Sequence, residues 1–466
     1  MLLIGSGSII AQVISVLSTP VITRLYSPDS YAGWALLISV MAIFGVIATF
    51  RYELAIILAS TEEEAANIFA AAISLVAIVA LIALPLCLFW KEPVSELFGL
   101  DANSPWLLWS PLLVVATGMI QTCQSWCTRK QKFQVLAASS VVLVLLTAIG
   151  QVGIALYGIR GASSLIAGTI LGQTAAALFI FFAVLQMDGR NIVKSLSLPT
   201  MRAMMWQYRN YPFFMTPYTL VAILRERLVL LMLNSYAPKA QVGFYAFSSK
   251  IVNLPVGFIS STIRPVLFQK ASVSKAADLS SFLVQLMSQL VYLVTPFWIL
   301  FMFEAQNLIT WVFGAQWGEA AFYGVLLAVP GFVFVLSNWM DRILDVIGQQ
   351  RLAFKMEALF SIGSMISFVI GLMVLKDIKY AVILQISVVF LYSIFWIWKL
   401  FSVAKFDLGR LLSVLQLFLK IAAVSSLGIL LIRSLLPPMA AVGLYLCFAI
   451  WFSASKSIAA YRMLKR

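Results

Sequence analysis

The chain has 466 residues, of which 62% are hydrophobic and only 11% are charged, with 32 Lys and Arg against 18 Asp and Glu. Soluble domains are about 45–50% apolar and about 25% charged. The composition therefore excludes a soluble enzyme, a disordered chain and a secreted disulfide scaffold. Because the cations sit in short segments between apolar runs, we expect no nucleic-acid partner either.

Apolar runs of roughly 20 to 26 residues recur along the chain, and each is long enough to cross a hydrocarbon core of about 30 Å as a helix. We therefore expect an all-α, polytopic membrane protein with about fourteen transmembrane helices (12 + 2). They are predicted near residues 4–23, 33–58, 65–90, 105–126, 134–157, 162–186, 212–235, 242–264, 281–303, 320–345, 354–375, 380–400, 411–435 and 439–455.

Loop charge predicts the orientation of these helices. An even number places both termini on one side, and the loops of that side hold about three times as many Lys and Arg as the opposite loops. By the positive-inside rule both termini are expected in the cytoplasm. The longest outer loops, predicted at 91–104 and 304–319, are too short for an extramembrane catalytic domain.

A pattern, Y-[SA]-P-x4-G-[WF], occurs twice at an offset of 210 residues, beginning at Tyr26 and at Tyr236. Both copies precede a helix that is expected to run inward, so both have the same orientation. We predict an N-lobe at residues 1–200, a C-lobe at 201–400 and an appended helix pair at 401–466, the layout of an alternating-access transporter. The alternative is a chance match of common loop residues.

The predicted seventh helix carries three ionisable residues, Arg225, Glu226 and Arg227, near its middle. Such residues are costly inside a membrane and indicate function. The two arginines lie about 200° apart around the helix, so only one is expected to bind substrate while the other pairs with an acid. Tyr218 shares a face with Arg225. An ion pair that only joins two helices is the alternative.

The next predicted helix has one polar face over four turns, formed by Lys250, Asn253, Gly257, Ser261 and Arg264. Small polar residues alone would indicate helix packing, but a lysine is harder to explain in that way.

Further candidate residues lie toward the ends of predicted helices. Arg51 and Arg24 are candidate substrate ligands, although snorkelling explains Arg51 equally well. Glu226 and Asp341 are candidates for ion coupling, and pairing with an arginine is the alternative for Asp341.

Deep in the membrane, cations outnumber acids: Glu226 is set against Arg225, Arg227, Lys250 and Lys420. This balance favours an anionic substrate over organic cations, and guanidinium groups suit phosphate oxygens. No Walker-type glycine loop or histidine occurs, so we expect no cofactor or metal; H+ or Na+ coupling would depend on carboxylates.

The segment from Thr19 to Phe69, through T-R-L-Y-S-P, R-Y-E-L-A and E-E-E-A-A-N, resembles the bacterial polysaccharide transporters of the MOP superfamily, the O-antigen and exopolysaccharide repeat-unit flippases. The late segment W-V-F-G-A-Q-W agrees with this. The family often has twelve spans, two fewer than we predict here.

The resemblance implies two six-helix lobes in a MATE-like V around a cationic cavity. It also implies translocation of an undecaprenyl-diphosphate-linked glycan across the bacterial cell inner membrane in O-antigen or other lipopolysaccharide and polysaccharide biosynthesis. Membrane lipids and polysaccharide polymerase machinery are the further expected partners.

Two alternatives remain at this stage. One is a MATE-like, cation-coupled drug or metabolite antiporter. The other is a membrane glycan polymerase or ligase, for which we would expect a large periplasmic loop; we therefore expect a transporter and not an enzyme.

Overall fold

The computed structural model describes residues 2–89, 91–92, 106–273 and 276–464. Regular structure in these ranges is entirely helical. The predicted outer loop at 91–104 lies almost wholly outside them, as do Lys275, Lys465 and Arg466, which entered the comparison of loop charges. The helices are α1 (Leu2–Leu25), α2 (Pro28–Thr49), α3 (Ala55–Leu58), α4 (Glu62–Phe89), α5 (Trp106–Arg129), α6 (Phe133–Leu156), α7 (Ala162–Ser195), α8 (Leu198–Gln207), α9 (Thr216–Tyr236), α10 (Lys239–Val273), α11 (Ala276–Phe313), α12 (Ala320–Ser337), α13 (Arg342–Val346), α14 (Gln350–Ile370), α15 (Ile378–Val403), α16 (Leu408–Leu435) and α17 (Pro438–Leu464).

Eleven helical segments in the described ranges are long and apolar enough to cross a membrane, which makes the chain a multi-pass membrane protein. They lie in α2, α4, α6, α7, α10, α11, α12, α14, α15, α16 and α17. The other predicted spans coincide with α1, α5 and α9. Of these, α1 has a shorter apolar part, Ile9–Leu25, and α9 carries three charged residues at its centre. The total of fourteen stays a prediction.

Two helices predicted as continuous are broken, which corrects the spans at 33–58 and 320–345. The first ends at Thr49 because Phe50 and Arg51 both adopt the left-handed conformation, with φ of 47° and 61°. A 3-10 turn, Tyr52–Leu54, and the short helix α3 follow. The second ends at Ser337, and α13 begins at Arg342. Neither break contains Gly or Pro, the residues from which a break is usually predicted.

The described helices form two compact units, Met1–Ala246 and Phe247–Arg466. In the first unit α6 packs against α1 and α7, α5 packs against α4 and α7, and α9 packs against α2. A core at one end joins Ile56, Phe69, Trp126, Ile180 and Met204. This unit extends past residue 200 because α9 packs on α2. The predicted six-helix lobes stay a prediction.

In the second unit the long helix α11 packs against α12, α16 and α17, while α15 packs against α12 and α14. The core contains Leu283, Val291, Trp339 and Phe401, and it extends into α16 through Ile421. The predicted appended helices therefore share the core of this unit.

Candidate functional site

The central charges of α9 are placed near the middle of that helix. Apolar stretches on both sides favour the helix, and Pro217 in its first turn has the backbone angle that a helix start needs. Arg225 follows the first residue by nine positions, about 14 Å along a 21-residue helix. The packing of α9 against α2 therefore holds a charged triplet at mid-length within the first unit.

The three members of this triplet differ in their surroundings. Arg225 and Arg227 are half-buried, and Glu226 is exposed. Within the described residues the Nε of Arg227 is buried and has no hydrogen-bond partner. The Nε atoms of Arg51, Arg129 and Arg264 share this property, so it shows that Arg227 can take a further acceptor, such as an anionic ligand, but does not set it apart from other arginines. Tyr218, two turns before Arg225, is exposed.

The polar face predicted on α10 is an outward face of the second unit. Asn253, Gly257 and Ser261 are exposed, and Lys250 and Arg264 at its ends are half-buried. Asn253 donates to Ser249 Oγ at 3.2 Å, and a Cβ atom added to Gly257 would meet nothing within 4 Å. The core side of the helix is formed by other residues: Val256, Ser260 and Leu267. The face is thus available to a polar ligand.

Arg264 is anchored within the second unit. Its Nε lies 3.2 Å from Oδ1 of Asp341, and its Nη2 donates to the carbonyl of Asn338 at 2.8 Å. Asn338 in turn donates to Ser260 Oγ at 3.2 Å. The structure therefore pairs Asp341 with a neighbouring arginine, the alternative considered for this residue. Its role in ion coupling stays a prediction.

Arg51 forms an ion pair inside its own turn. Its Nη1 lies 3.1 Å from Oε1 of Glu53, whose other oxygen accepts from Thr49 Oγ1 at 2.5 Å. The carboxylate is buried, so it neutralises Arg51 next to the left-handed break. Arg24 is exposed in the last turn of α1, and Lys420 is exposed on α16. None of these three residues is brought next to Arg225 by a described interaction.

The two copies of the repeat pattern meet in the first unit. Ser27 Oγ accepts from Ser30 N at 3.3 Å and caps α2, whereas Ala237, the matching residue of the second copy, has no side-chain oxygen with which to cap α10. A Cβ atom on Gly243 would come within 2.0 Å of the carbonyl oxygen of Pro28. The two turns therefore lie at the same end of the unit, in agreement with the same-side orientation predicted from the sequence.

A polar cluster at the other end of the first unit was not predicted. Lys130 Nζ lies 2.7 Å from Glu62 and 3.5 Å from Asp188, which also accepts from Trp126 Nε1 at 3.1 Å. Burial lowers the pKa of Lys130, but the hydrogen bond to Glu62 and the two nearby carboxylates outweigh this effect, so the pKa lies above the usual value. The ammonium group stays charged at any physiological pH.

Arg129 stabilises the short helix α3 in the same cluster. Its guanidinium donates to the carbonyls of Ile56, Ala59 and Thr61 at 3.2, 2.6 and 3.2 Å. From the sequence, Arg129 and Lys130 indicated only orientation. The acidic segment E-E-E-A-A-N could have indicated this cluster, because it precedes a helix on the same predicted side of the membrane as Arg129 and Lys130.

The second unit contains a buried acid that the sequence analysis assigned to an outer loop. Glu304 lies at a kink in α11, with φ of −121°, and accepts from Asn307 Nδ2 at 2.6 Å. Its Oε1 lies 3.5 Å from Nε of Arg433, in the last turn of α16. The pair joins α16 to α11. From the sequence, this ion pair was indicated only by the opposite charges of Glu304 and Arg433 on two loops of the same predicted side.

The chain matches the family model described as "Polysaccharide biosynthesis protein" over residues 21–322. No curated protein matches it. Among solved structures it is similar to the lipid II flippase MurJ in an inward closed conformation, with 15% identity, 100% of both chains covered and a TM-score of 0.73.

It is also similar to an inward-facing multidrug resistance MATE family transporter of the MOP superfamily, with 12% identity, 84% and 95% of the two chains covered and a TM-score of 0.65. The MATE transporter VcmN of Vibrio cholerae in its bent form gives 15% identity, 89% and 98% coverage and a TM-score of 0.53. These likenesses establish the fold, and the family match covers most of the chain. The chain belongs to the polysaccharide biosynthesis protein family and shares the fold of the lipid II flippase MurJ and of MATE family transporters.

Proposed function

We propose that this protein is a flippase that translocates a polyprenyl-diphosphate-linked oligosaccharide, an O-antigen or similar repeat unit, across the bacterial inner membrane by alternating access. The observation that carries the proposal is the pair Arg225 and Arg227 at the middle of α9, where the Nε of Arg227 is buried and has no hydrogen-bond partner in the described part of the chain. An anionic group would satisfy this donor, and the diphosphate of a lipid-linked glycan is such a group.

A lipid-linked glycan needs a protein to cross the membrane because its diphosphate is charged. Moving an unpaired charge into hydrocarbon costs many kcal/mol, and a diphosphate carries more than one. Guanidinium groups offer paired N–H donors whose geometry matches phosphate oxygens. Arg225 and Arg227 carry two such groups but lie about 200° apart around α9, so we assign Arg227, with its buried Nε, to the diphosphate and keep Arg225 as a candidate for the acidic groups of the sugars.

The polar face of α10 suits the sugars. Lys250 supplies a positive charge for acidic sugars or for the diphosphate, and Asn253 and Ser261 supply donors and acceptors for hydroxyl groups. Asn253 and Ser261 are exposed on the outward side of α10, and Lys250 at the end of this face is half-buried. Arg51 and Arg264 are weaker candidates, because their ion pairs with Glu53 and Asp341 already neutralise their charges. The roles of Tyr218 and Arg24 stay predictions.

Release of an anion from cationic residues requires a competing event. Protonation of, or cation binding at, Glu226 or Asp341 would supply it by shifting the balance between inward-open and outward-open states. Asp341 is paired with Arg264, so its protonation would free that arginine. Translocation in sealed vesicles is then expected to slow when both the proton and sodium gradients are collapsed; an unchanged rate would indicate passive exchange.

The proposal is tested by deleting the gene in its source bacterium and locating the lipid-linked repeat unit. We expect it to accumulate on the cytoplasmic leaflet, with surface glycan lost and restored by complementation. A MATE-like antiporter of drugs or metabolites is the competing function for this fold. Normal surface glycan in the deletion strain, together with broad drug resistance on expression in a pump-deficient strain, would favour the antiporter.

A further inference from the structure

A short helix lies on one side of the membrane between α7 and α9. As a continuous helix of 34 residues, α7 is about 51 Å long, which exceeds a hydrocarbon core of about 30 Å. All charged residues of α7, Asp188, Arg190 and Lys194, lie in its last two turns, so we place this end in the headgroup region. The chain then turns at Leu196 and Ser197 and continues as α8, which starts with Leu198 and Pro199.

One face of α8 alternates apolar and cationic side chains. Leu198, Arg202 and Trp206 follow one another at intervals of four residues, and Arg209 continues this face in the turn after the helix. All four are exposed; Leu198 is 77% and Trp206 70% exposed. The guanidinium of Arg209 lies 4.3 Å from the centre of the Trp206 ring. An exposed tryptophan beside arginines is typical of membrane interfaces.

The opposite face of α8 is fixed to the first unit. Met204 is buried in the core with Ile56 and Phe69. Tyr52 Oη donates to the carbonyl of Met205 at 2.9 Å. These contacts give α8 a fixed rotation, so its exposed face is a defined surface.

The junction before α8 is fixed as well. Asn67 is fully buried; it donates to the carbonyl of Ser195 at 2.8 Å and accepts from Ser197 N at 2.9 Å. The exposed face of α8 is therefore presented at a constant angle to α7.

Charge decides which partner fits this surface. No Asp or Glu occurs between residues 189 and 225, whereas four exposed cations do: Arg190, Lys194, Arg202 and Arg209. Exposed apolar side chains accompany them: Val193, Leu196, Phe213 and Phe214. Cations set among aromatic and aliphatic side chains match a layer of phosphate groups above acyl chains.

We propose that the exposed face of α8, with Arg202, Trp206 and Arg209 at its centre, binds the headgroups of anionic phospholipids in the leaflet that it faces. The apolar side chains enter the acyl boundary while the guanidinium groups contact phosphates. Nothing in this proposal depends on which substrate the protein transports.

The test is native mass spectrometry of the purified full-length protein titrated with phosphatidylglycerol or phosphatidylcholine. We expect the wild-type protein to bind phosphatidylglycerol more tightly. Each cation near an anionic surface contributes about a factor of five, so the double variant Arg202→Gln/Arg209→Gln is expected to bind phosphatidylglycerol about 25-fold more weakly. Arg202→Lys/Arg209→Lys, which keeps both charges, is expected to retain most of the affinity.

The matched control is Lys376→Gln/Lys379→Gln. These cations are also exposed beside exposed apolar residues, but Asp377 lies between them. We expect this variant to keep wild-type binding. Equal binding of the two lipids by the wild-type protein, an equal loss in the control, or unchanged binding by the arginine-to-glutamine variant would overturn the proposal. Preferential binding of a polyprenyl diphosphate through the same arginines would also overturn it.

Discussion

Gly243, near the start of α10, lies against the backbone carbonyl of Pro28, the first residue of α2. The two residues belong to the two copies of Y-[SA]-P-x4-G-[WF], which are far apart in the chain but adjacent in the first unit. Only a residue without a Cβ atom permits this approach. The glycine of the second copy is therefore a requirement for packing between the starts of two helices.

Substitution of Gly243 tests this contact. Gly243→Ala would place a Cβ atom 2.0 Å from the Pro28 oxygen, so the backbone must shift. We expect a loss of about 1–3 kcal/mol in stability, seen as a lower midpoint of thermal unfolding in detergent. Gly257→Ala, in the same helix but with open space around it, is the control and is expected to be neutral or slightly stabilising. Equal midpoints for both variants would contradict this account.

Asn67 joins the start of α4 to the junction of α7 and α8. Besides its bonds to Ser195 and Ser197, it donates to the carbonyl of Glu63 at 2.9 Å. Asn67→Ala would leave buried backbone groups unpaired, and we expect a destabilisation of about 2–3 kcal/mol. Asn253→Ala removes an exposed amide whose described bond is to Ser249, and it is expected to change the unfolding midpoint little. An unfolding midpoint for Asn67→Ala equal to that of Asn253→Ala would show that the hydrogen bonds of the Asn67 side chain add nothing to stability.

The cations of α9 and α10 are expected to be required for transport and not for folding. Arg225→Ala, Arg227→Ala and Lys250→Ala should each lower surface glycan by about thirtyfold or more in a complementation assay, because each leaves substrate charge unpaired. Arg225→Lys should be partly active, since a point charge lacks the bidentate geometry of a guanidinium. Expression levels serve as the control. Wild-type glycan from the alanine variants at equal expression would show that these residues do not bind the substrate.

The orientation can be tested with cysteines at Asp29 and Lys239, which are exposed at the starts of α2 and α10. Three native cysteines are buried, and the exposed Cys447 is first replaced by serine. We expect an impermeant thiol reagent added to the periplasm to label both positions in intact cells. Labelling only after lysis would invert the orientation inferred from loop charge.

Sequence reasoning succeeded where a single physical effect dominates. Long apolar runs predicted most of the helices. The functional role of the charges in α9 stays a prediction. Sequence reasoning failed where long-range contacts decide the structure. The left-handed pair Phe50 and Arg51 is compatible with helix in isolation, and the buried pair of Glu304 with Arg433 joins residues from distant parts of the chain.

The helix α8 shows the same limit. A ten-residue amphipathic segment is too short to span a membrane, so the search for long apolar runs passed over it. Its position became apparent from the bonds of Asn67 and Tyr52, neither of which is close to it in sequence.

The most direct measurement of the central claim is translocation by the purified full-length protein in sealed vesicles. A polyprenyl-diphosphate oligosaccharide with a fluorescent sugar is incorporated in both leaflets, and an impermeant quencher is added outside. Protein-free vesicles should protect about half of the fluorescence, because half of the lipid lies in the inner leaflet. We predict that the wild-type protein exposes nearly all of it and that Arg225→Ala/Arg227→Ala does not. Protection at the protein-free level with folded wild-type protein would contradict the proposed flippase.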